Sequence, residues 1–538
     1  MASVPLFLTP FVGRERELAL YRRFLASDSP WVLVITGQGG IGKSTLLRHF
    51  ADRIGVSEGS LVITLDFAMH LDPLAVLDEI SWQVEGWANA EQVQMFRQAI
   101  ADARGKLAQP VGDIRQEVHL AENASLQGQG MQMNISAATL ELRREIRRQV
   151  TQALYTLASA LSCGQMILLL DTGEWLGERE GLETGQWFLN EVLPLLSKRL
   201  QRRGKRCSVV LASRVNLALP ALQGQDIRRY SLPFLEQPAV DGYLSQLGMS
   251  DANLRQRVYN LTHGHALCVE IVGVVWQQAE PPLTAADFPE LREQFNEQAT
   301  VTFLQERLYQ RLASPFRELT KYSCLLRSFD LPLLEAVFSD LLPEKDHAEA
   351  FEQFIQYPFI EKLGKHRYAC HDLLRELQGA RIQAQEPERW QIYHRRALGH
   401  LAQAGTSYPA DWFYHALILD EKEALLAWEQ AMQEAYIHGK RTYWSELLQV
   451  SYDGTLNLTA ASRAVRAEWQ GRFYYTEAPG NSAALASYEE ALGLFRAVGD
   501  RLGEATVRKA IGDVQQFRDE REAALASYEE ALGLFRAV

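Results

Sequence analysis

Cysteine is scarce and never closely paired: Cys163, Cys207, Cys268, Cys324 and Cys370 stand apart in apolar surroundings. That excludes a CxxC metal or redox site and reads as reduced, buried thiols, the usage of a cytoplasmic protein. Also missing is any apolar run approaching the length of a membrane span, and the opening MASVPLFLTP has no basic start leading into a long apolar core. Neither export nor a membrane partner is expected. Positive charge is in the minority, 55 Lys and Arg against 67 Asp and Glu for a net charge of −12, which disfavours nonspecific binding along nucleic acid. A local basic cluster, Arg202, Arg203, Lys205 and Arg206, reads as a solvated helix end before a strand. Otherwise the composition is that of a globular protein, 47% hydrophobic and 23% charged. A chain of 538 residues exceeds one hydrophobic core, so about three to five domains are expected.

The most informative stretch is WVLVITGQGGIGKSTLLRHF, Trp31 to Phe50. A β-branched, apolar run gives way to Gly37, Gln38, Gly39, Gly40, Ile41, Gly42, Lys43 and Ser44, and Thr45 then continues a helix-forming segment. This is the GxxxxGK[ST] phosphate loop between a strand and a helix. The glycines let the backbone turn its N–H groups around a phosphate, and the helix start adds its positive dipole end. Lys43 places a point charge on the outer phosphates, and the Ser44 hydroxyl suits Mg²⁺. ATP or ADP with Mg²⁺ is therefore expected.

Two further apolar runs read as strands of the same α/β core, Leu61 to Phe67 and Gln165 to Asp171. The second ends in a carboxylate facing the phosphate loop, the place of a Walker B metal partner, so Asp171 joins Ser44 as the Mg²⁺ candidates. Asp171 is followed by Thr172, Gly173 and Glu174 rather than by an adjacent acid. Glu174 is the remaining candidate base, and slow hydrolysis is expected. Residues from about 75 to 160 carry helical periodicity, interrupted over 116–138 by a Gly- and Gln-rich insert read as a hairpin or loop of unassigned role. Ser208 to Leu211 forms another strand, ending in Ala212, Ser213 and Arg214.

Upstream, Phe11, Val12, Gly13, Arg14 and Glu15 turn into an amphipathic helix with Leu18, Leu20, Tyr21, Phe24 and Leu25 on one face. VGRE ahead of GGIGKST resembles the nucleotide-binding module of STAND-class ATPases, relatives of AAA+ proteins that include the NB-ARC and maltose-activator-like families. The resemblance runs through ordered motifs over about residues 1 to 385. It implies Val12, Gly13 and Arg14 near the adenine, Arg214 near the γ-phosphate position, and a helical lid after Leu232. In the lid, Thr262 to Leu267 (THGHAL) stands at the family's GxP motif, with Ala266 in place of the proline that packs on adenine. His263 and His265, without further spaced ligands, read as surface or lid-turn histidines rather than a metal site.

Helices over Phe303 to Leu312, Phe316 to Leu325 and Leu331 to Phe338, then alternation in Phe359 to Leu363 and Tyr368 to Cys370 around Gly364 and Lys365, suggest a winged helix. Its end, Cys370, His371, Asp372, Leu373, resembles the family's MHD motif, which implies that His371 reaches the β-phosphate of ADP. Beyond Glu386 the pattern is helical throughout. AALASYEEALGLFRAV occurs at Ala483 to Val498 and again at Ala523 to Val538, a period of 40 residues. Ile511, Gly512, Ala524, Tyr528 and Ala531 keep a tetratricopeptide spacing, with Arg508 and Gln515 in place of its usual aromatics, and Gly471 to Ala484 is a degenerate earlier copy.

The expected architecture is multidomain α/β plus α: an AAA+-like P-loop domain over 1–235, a helical lid over 236–298, a winged helix over 299–385, a helical arm over 386–470 and an α-solenoid over 471–538. The array is expected to run on past Val538, and no effector domain is expected before Val12. The reading is a slow ATPase used as a switch: an ADP-bound closed monomer, an unidentified protein or small-molecule ligand on the repeats, ATP exchange and self-association. Its alternatives are a DNA-binding transcriptional activator with its reader beyond Val538 and a turning-over AAA+ motor.

Overall fold

A computed structural model describes residues 10–538 except 28, 30, 55–58, 68–72, 109–144, 178–184, 218, 220, 223, 280, 290–295, 305, 306, 308, 343–345, 364, 365, 404–408, 438–440, 451–455, 478 and 479. The insert at 116–138 and the hairpin tip at Gly364 and Lys365 lie outside the described residues. By its internal contacts the chain divides into two compact units, one of residues 1–87 and 162–415, the other of residues 88–161 and 416–538.

The first unit is built on five parallel strands, β1 (Val32–Thr36), β2 (Ser60–Asp66), β3 (Gln165–Asp171), β4 (Arg206–Ser213) and β5 (Ile227–Ser231), in the order β2-β3-β4-β1-β5. β3 and β4 are almost wholly buried, which is why they read as continuous apolar runs, whereas β2 alternates. Register sets the strand ends level: Thr36 pairs with Ser213 and Ser231, and Asp66 with Asp171. Helices α1 (Glu15–Leu25) and α2 (Lys43–Ile54) close on the sheet through Leu20, Tyr21, Phe24, Leu46, Leu47 and Phe50, with Tyr21 stacked on Phe50 at 3.8 Å. The crevice at the carboxyl ends of such strands is where α/β sheets bind ligands.

The segment expected as the lid has three helices, α3 (Gln237–Gln246), α4 (Ala252–Thr262) and α5 (Ala266–Gln278). α4 opens on an Asp251 side chain that accepts from the Asn253 N–H, and closes with His263 in the left-handed region at φ 46° before Gly264 at φ 80°. α5 is apolar nearly all round, and Val269, Ile271, Val272, Val274 and Val275 are buried.

Of the expected helix from Phe303 to Leu312, residues 305, 306 and 308 lie outside the described residues; on either side stand a helix over Glu297–Phe303 and a 3-10 turn over Tyr309–Arg311. Leu304, Tyr309 and Leu312 are buried in one core. Helices Phe316–Tyr322 and Leu331–Phe338 follow, then His347–Phe354, which the sequence reading did not place. The antiparallel pair β6 (Ile360–Lys362) and β7 (Tyr368–Cys370) comes next. All five cysteines are buried and unbridged.

The second unit ends in four helices, α6 (Ala460–Glu477), α7 (Ser482–Val498), α8 (Arg501–Phe517) and α9 (Arg521–Ala537). Gly471 lets α6 approach the Tyr488 ring, where a Cβ would come within 2.4 Å, and Gly512 does the same for Tyr528 at 2.7 Å. Helix pairing on a glycine-aromatic contact therefore recurs once per repeat, as a helical solenoid requires. Among the described residues no helix is long and apolar enough to cross a membrane.

Candidate functional site

The phosphate loop leaves β1 at Thr36, with the Gly37 N–H donating to the Ser213 carbonyl at 3.2 Å, and enters α2 at Lys43. Gly40 and Gly42 have φ of 70° and 96°, a conformation open to glycine, so the loop curls back over its own helix start. The buried Lys43 ammonium donates to the Gly37 and Gln38 carbonyls at 2.6 and 2.8 Å, and burial pushes its pKa down. Ser44 hydrogen-bonds the Asp171 carboxylate. Burial pushes the Asp171 pKa up, the Ser44 bond pulls it down, and Asp66 raises it again. A curled glycine backbone, an ammonium at its mouth and a hydroxyl-carboxylate pair beside it form the donor set for a nucleotide phosphate chain and a hard cation, so the residues fit Mg²⁺-nucleotide.

The sequence reading missed Asp66. It ends β2 as Asp171 ends β3, and its carboxylate accepts the Thr172 hydroxyl, so two acids stand side by side at the sheet edge. The matching endings of LVITLD and QMILLLD were the signal. Thr172 holds this bond at φ 49°, a costly conformation for a β-branched residue and one typical of functional turns.

Glu174, the candidate base, is buried and engaged. Its Oε2 accepts the Arg214 backbone N–H at 2.9 Å, and its Oε1 lies 3.2 Å from Arg214 Nε. Gly173 makes this approach possible by lying against β4, where a Cβ would meet the Ala212 carbonyl at 2.9 Å. Arg214 thus leaves β4 pointing over the loop: a side chain on Gly39 would come within 3.6 Å of Arg214 Cζ. The same position would come within 3.7 Å of His371 Cε1, so the residue after β7 reaches the phosphate loop as well. The His371 backbone N–H donates to Phe359 at 2.8 Å, and its Nε2 is 3.7 Å from Glu361.

Val12, Gly13 and Arg14 sit where loop and lid meet. Val12 packs on the core that includes the lid, and Gly13, at φ 67°, is so close to α3 that a Cβ would fall 2.3 Å from Ala239 Cβ. Arg14 is buried, donating to the Ile41 carbonyl of the loop and to Pro233, both at 2.9 Å, with Glu17 at 3.6 Å. Ala266 opens α5 against the loop, 3.5 Å from a Cβ placed on Gly42. Of the two expected readings of His265, surface or lid-turn, the turn holds and the surface does not: it caps α5 and is fully buried, its Nε2 on the Gly39 carbonyl at 2.9 Å. Among the described residues no group of three or more His, Cys, Asp or Glu is placed to hold a metal ion by itself.

Residues 10–209 match the family model of the AAA ATPase domain. The loop, Asp171 and Glu174 fall within the matched segment. Among solved structures the chain is similar to a signal transduction ATPase with numerous domains (STAND) with a tetratricopeptide repeat sensor from Pyrococcus horikoshii, at 15% identity over 99% of this chain and 79% of that one, TM-score 0.44. It is also similar to the ORC2 protein of Aeropyrum pernix, at 14% identity over 72% of this chain and 97% of that one, TM-score 0.31. No curated protein matches.

Proposed function

We propose that the chain is a nucleotide-dependent signalling switch of STAND type, with a slow ATPase activity that resets it. The observation that carries this reading is the convergence on Gly39 of two groups from distant parts of the chain: Arg214 at the end of β4 and His371 just after β7. On this reading the helices before β6 and β7 form a winged helix whose His371 clamps the β-phosphate side of ADP. Arg214 meets the γ-phosphate when ATP replaces it, because a guanidinium gains most from one more charged group.

Lys43 and the loop amides bind the phosphates, and Ser44 and Asp171 would hold Mg²⁺, with Asp66 beside them. The metal supplies charge neutralisation on the phosphate oxygens. Glu174 orients or deprotonates water only once Arg214 releases it, which fits slow turnover. The repeat helices take the signalling ligand, whose differential affinity for the two states sets how far the equilibrium moves, and the opened form self-associates.

The test is to denature the purified protein and identify the released nucleotide by chromatography, for the wild type and for His371→Ala. Stoichiometric ADP from the wild type, lost or replaced by ATP in the variant, is the expected result. No retained nucleotide together with fast steady-state hydrolysis overturns the reading in favour of a motor.

A further inference from the structure

His265 belongs to the lid, yet its imidazole is 0% exposed because it lies on the phosphate loop, 226 residues away in sequence. Its Nε2 is 2.9 Å from the Gly39 carbonyl oxygen. A carbonyl only accepts, so the proton of the neutral ring sits on Nε2 and is donated to the loop. The Leu267 backbone N–H donates to the next loop carbonyl, Gly40, also at 2.9 Å. The N-cap and first turn of α5 thus take up two successive loop carbonyls. Phe234 meets the same ring edge-on at 5.7 Å, and a Cβ on Gly40 would fall 2.8 Å from His265 Cε1. The ring is held between Phe234 and the bare loop backbone.

A planar trans peptide ties these contacts to ligand binding. The Gly39 carbonyl and the Gly40 N–H belong to one peptide unit and point in opposite directions, as do the Gly40 carbonyl and the Ile41 N–H. Pinning the two oxygens toward the lid aims the two N–H groups the other way. We propose that His265 is a positioning residue of the phosphate loop, its Nε2–H fixing the Gly39–Gly40 peptide to the lid so that the Gly40 amide is held for a nucleoside diphosphate. Movement of α5 away from the loop releases that peptide, which couples lid movement to nucleotide release. The inference rests on the nucleotide-binding reading above.

The experiment compares the full chain with His265→Leu, which fills the space without donating, with His265→Ala, which empties it, and with His265→Gln, whose side-chain amide can donate to the same carbonyl. Lys43→Ala serves as the non-binding control. Release of a fluorescent ADP analogue is expected to quicken about fivefold or more in the Leu and Ala variants, as loss of one buried hydrogen bond implies, and to recover toward wild type in the Gln variant. In the nucleotide-free protein, hydrogen-exchange protection of the loop amides should fall in the Leu and Ala variants and recover in the Gln variant. Equal behaviour of all three variants, whether unimpaired or equally impaired, overturns the proposal, because the hydrogen bond then does nothing that bulk does not. A wild type that binds no ADP overturns the proposed function instead, and the nucleotide-free exchange still decides the role of His265.

Discussion

The two copies of AALASYEEALGLFRAV carry the same letters and meet different surroundings. In α7, Leu492 and Phe495 are 7% and 3% exposed; in α9 their counterparts Leu532 and Phe535 are 48% and 42% exposed. The difference is α8, which packs on the first copy so closely that a Cβ on Gly503 would come within 2.5 Å of the Phe495 ring. Contacts inside a helix pair, such as Tyr488 on Gly471 and Tyr528 on Gly512, recur in both copies. Contacts between pairs depend on a neighbour. A repeat therefore writes an apolar face, and burial by the next element decides its energy.

The strongest way to test that difference is to cut both faces. Phe495→Ala is expected to cost about 3 to 4 kcal/mol, the loss for a buried phenylalanine, while Phe535→Ala should cost under about 1 kcal/mol. Urea unfolding of the two variants measures both, and equal losses would mean that Phe535 is buried in solution by a neighbour.

Local and non-local contacts also divide what the sequence disclosed. Strands β1 to β4, the phosphate loop and the 40-residue period were legible because each is written in contiguous residues, as an apolar run, a motif or a repeat. Asp171 and Ser44 were legible as a pair because parallel strands end at one edge of the sheet, and the phosphate loop starts α2 at that same edge. The seam between loop and lid was not. His265 reads as a turn residue in THGHAL, and its contact with Gly39 follows from the packing of Leu235, Leu267 and Arg14, which no short motif spells out. The pairing of Glu174 with Arg214 was hidden for the same reason, since the register of β3 on β4 sets it.

The two regions should also part company in acid. Burial pushes the His265 pKa below its ordinary value, an effect the Gly39 bond partly opposes and Lys43 reinforces. Burial, together with the His415 ring whose Nδ1 is 2.7 Å away, pushes His394 well below its own. In the unfolded chain both rings take a proton near pH 6.5, while in the folded chain they stay neutral. Below that pH the unfolded state binds more protons, so stability falls as pH drops, by up to about 1.4 kcal/mol per pH unit for each ring until its folded pKa is reached. Residues 460–538 contain no histidine and lack this loss. Peptide-resolved hydrogen exchange in urea, at about pH 7 and about pH 5.5, should show the lid and the helix that carries His394 (Pro387–Gln403) weakening more than α6 to α9. Equal weakening would show that histidine burial is not the cause.

The smallest expected difference lies at the helix starts. Both repeat helices open their ladders from an N-cap carbonyl, Asn481 accepting from Leu485 at 3.3 Å and Glu520 from Ala524 at 3.0 Å. The Asn481 side chain adds a second bond, accepting the Ala483 N–H at 2.9 Å, whereas Glu520 makes no side-chain cap. An N-cap oxygen satisfies a donor that the helix leaves unpaired. Asn481→Ala should therefore cost about 1 kcal/mol in urea unfolding, and Glu520→Ala should cost only a few tenths. If Glu520→Ala costs as much, Glu520 supports α9 through a contact other than a cap, and the two helices with the same letters are held at their starts by different means.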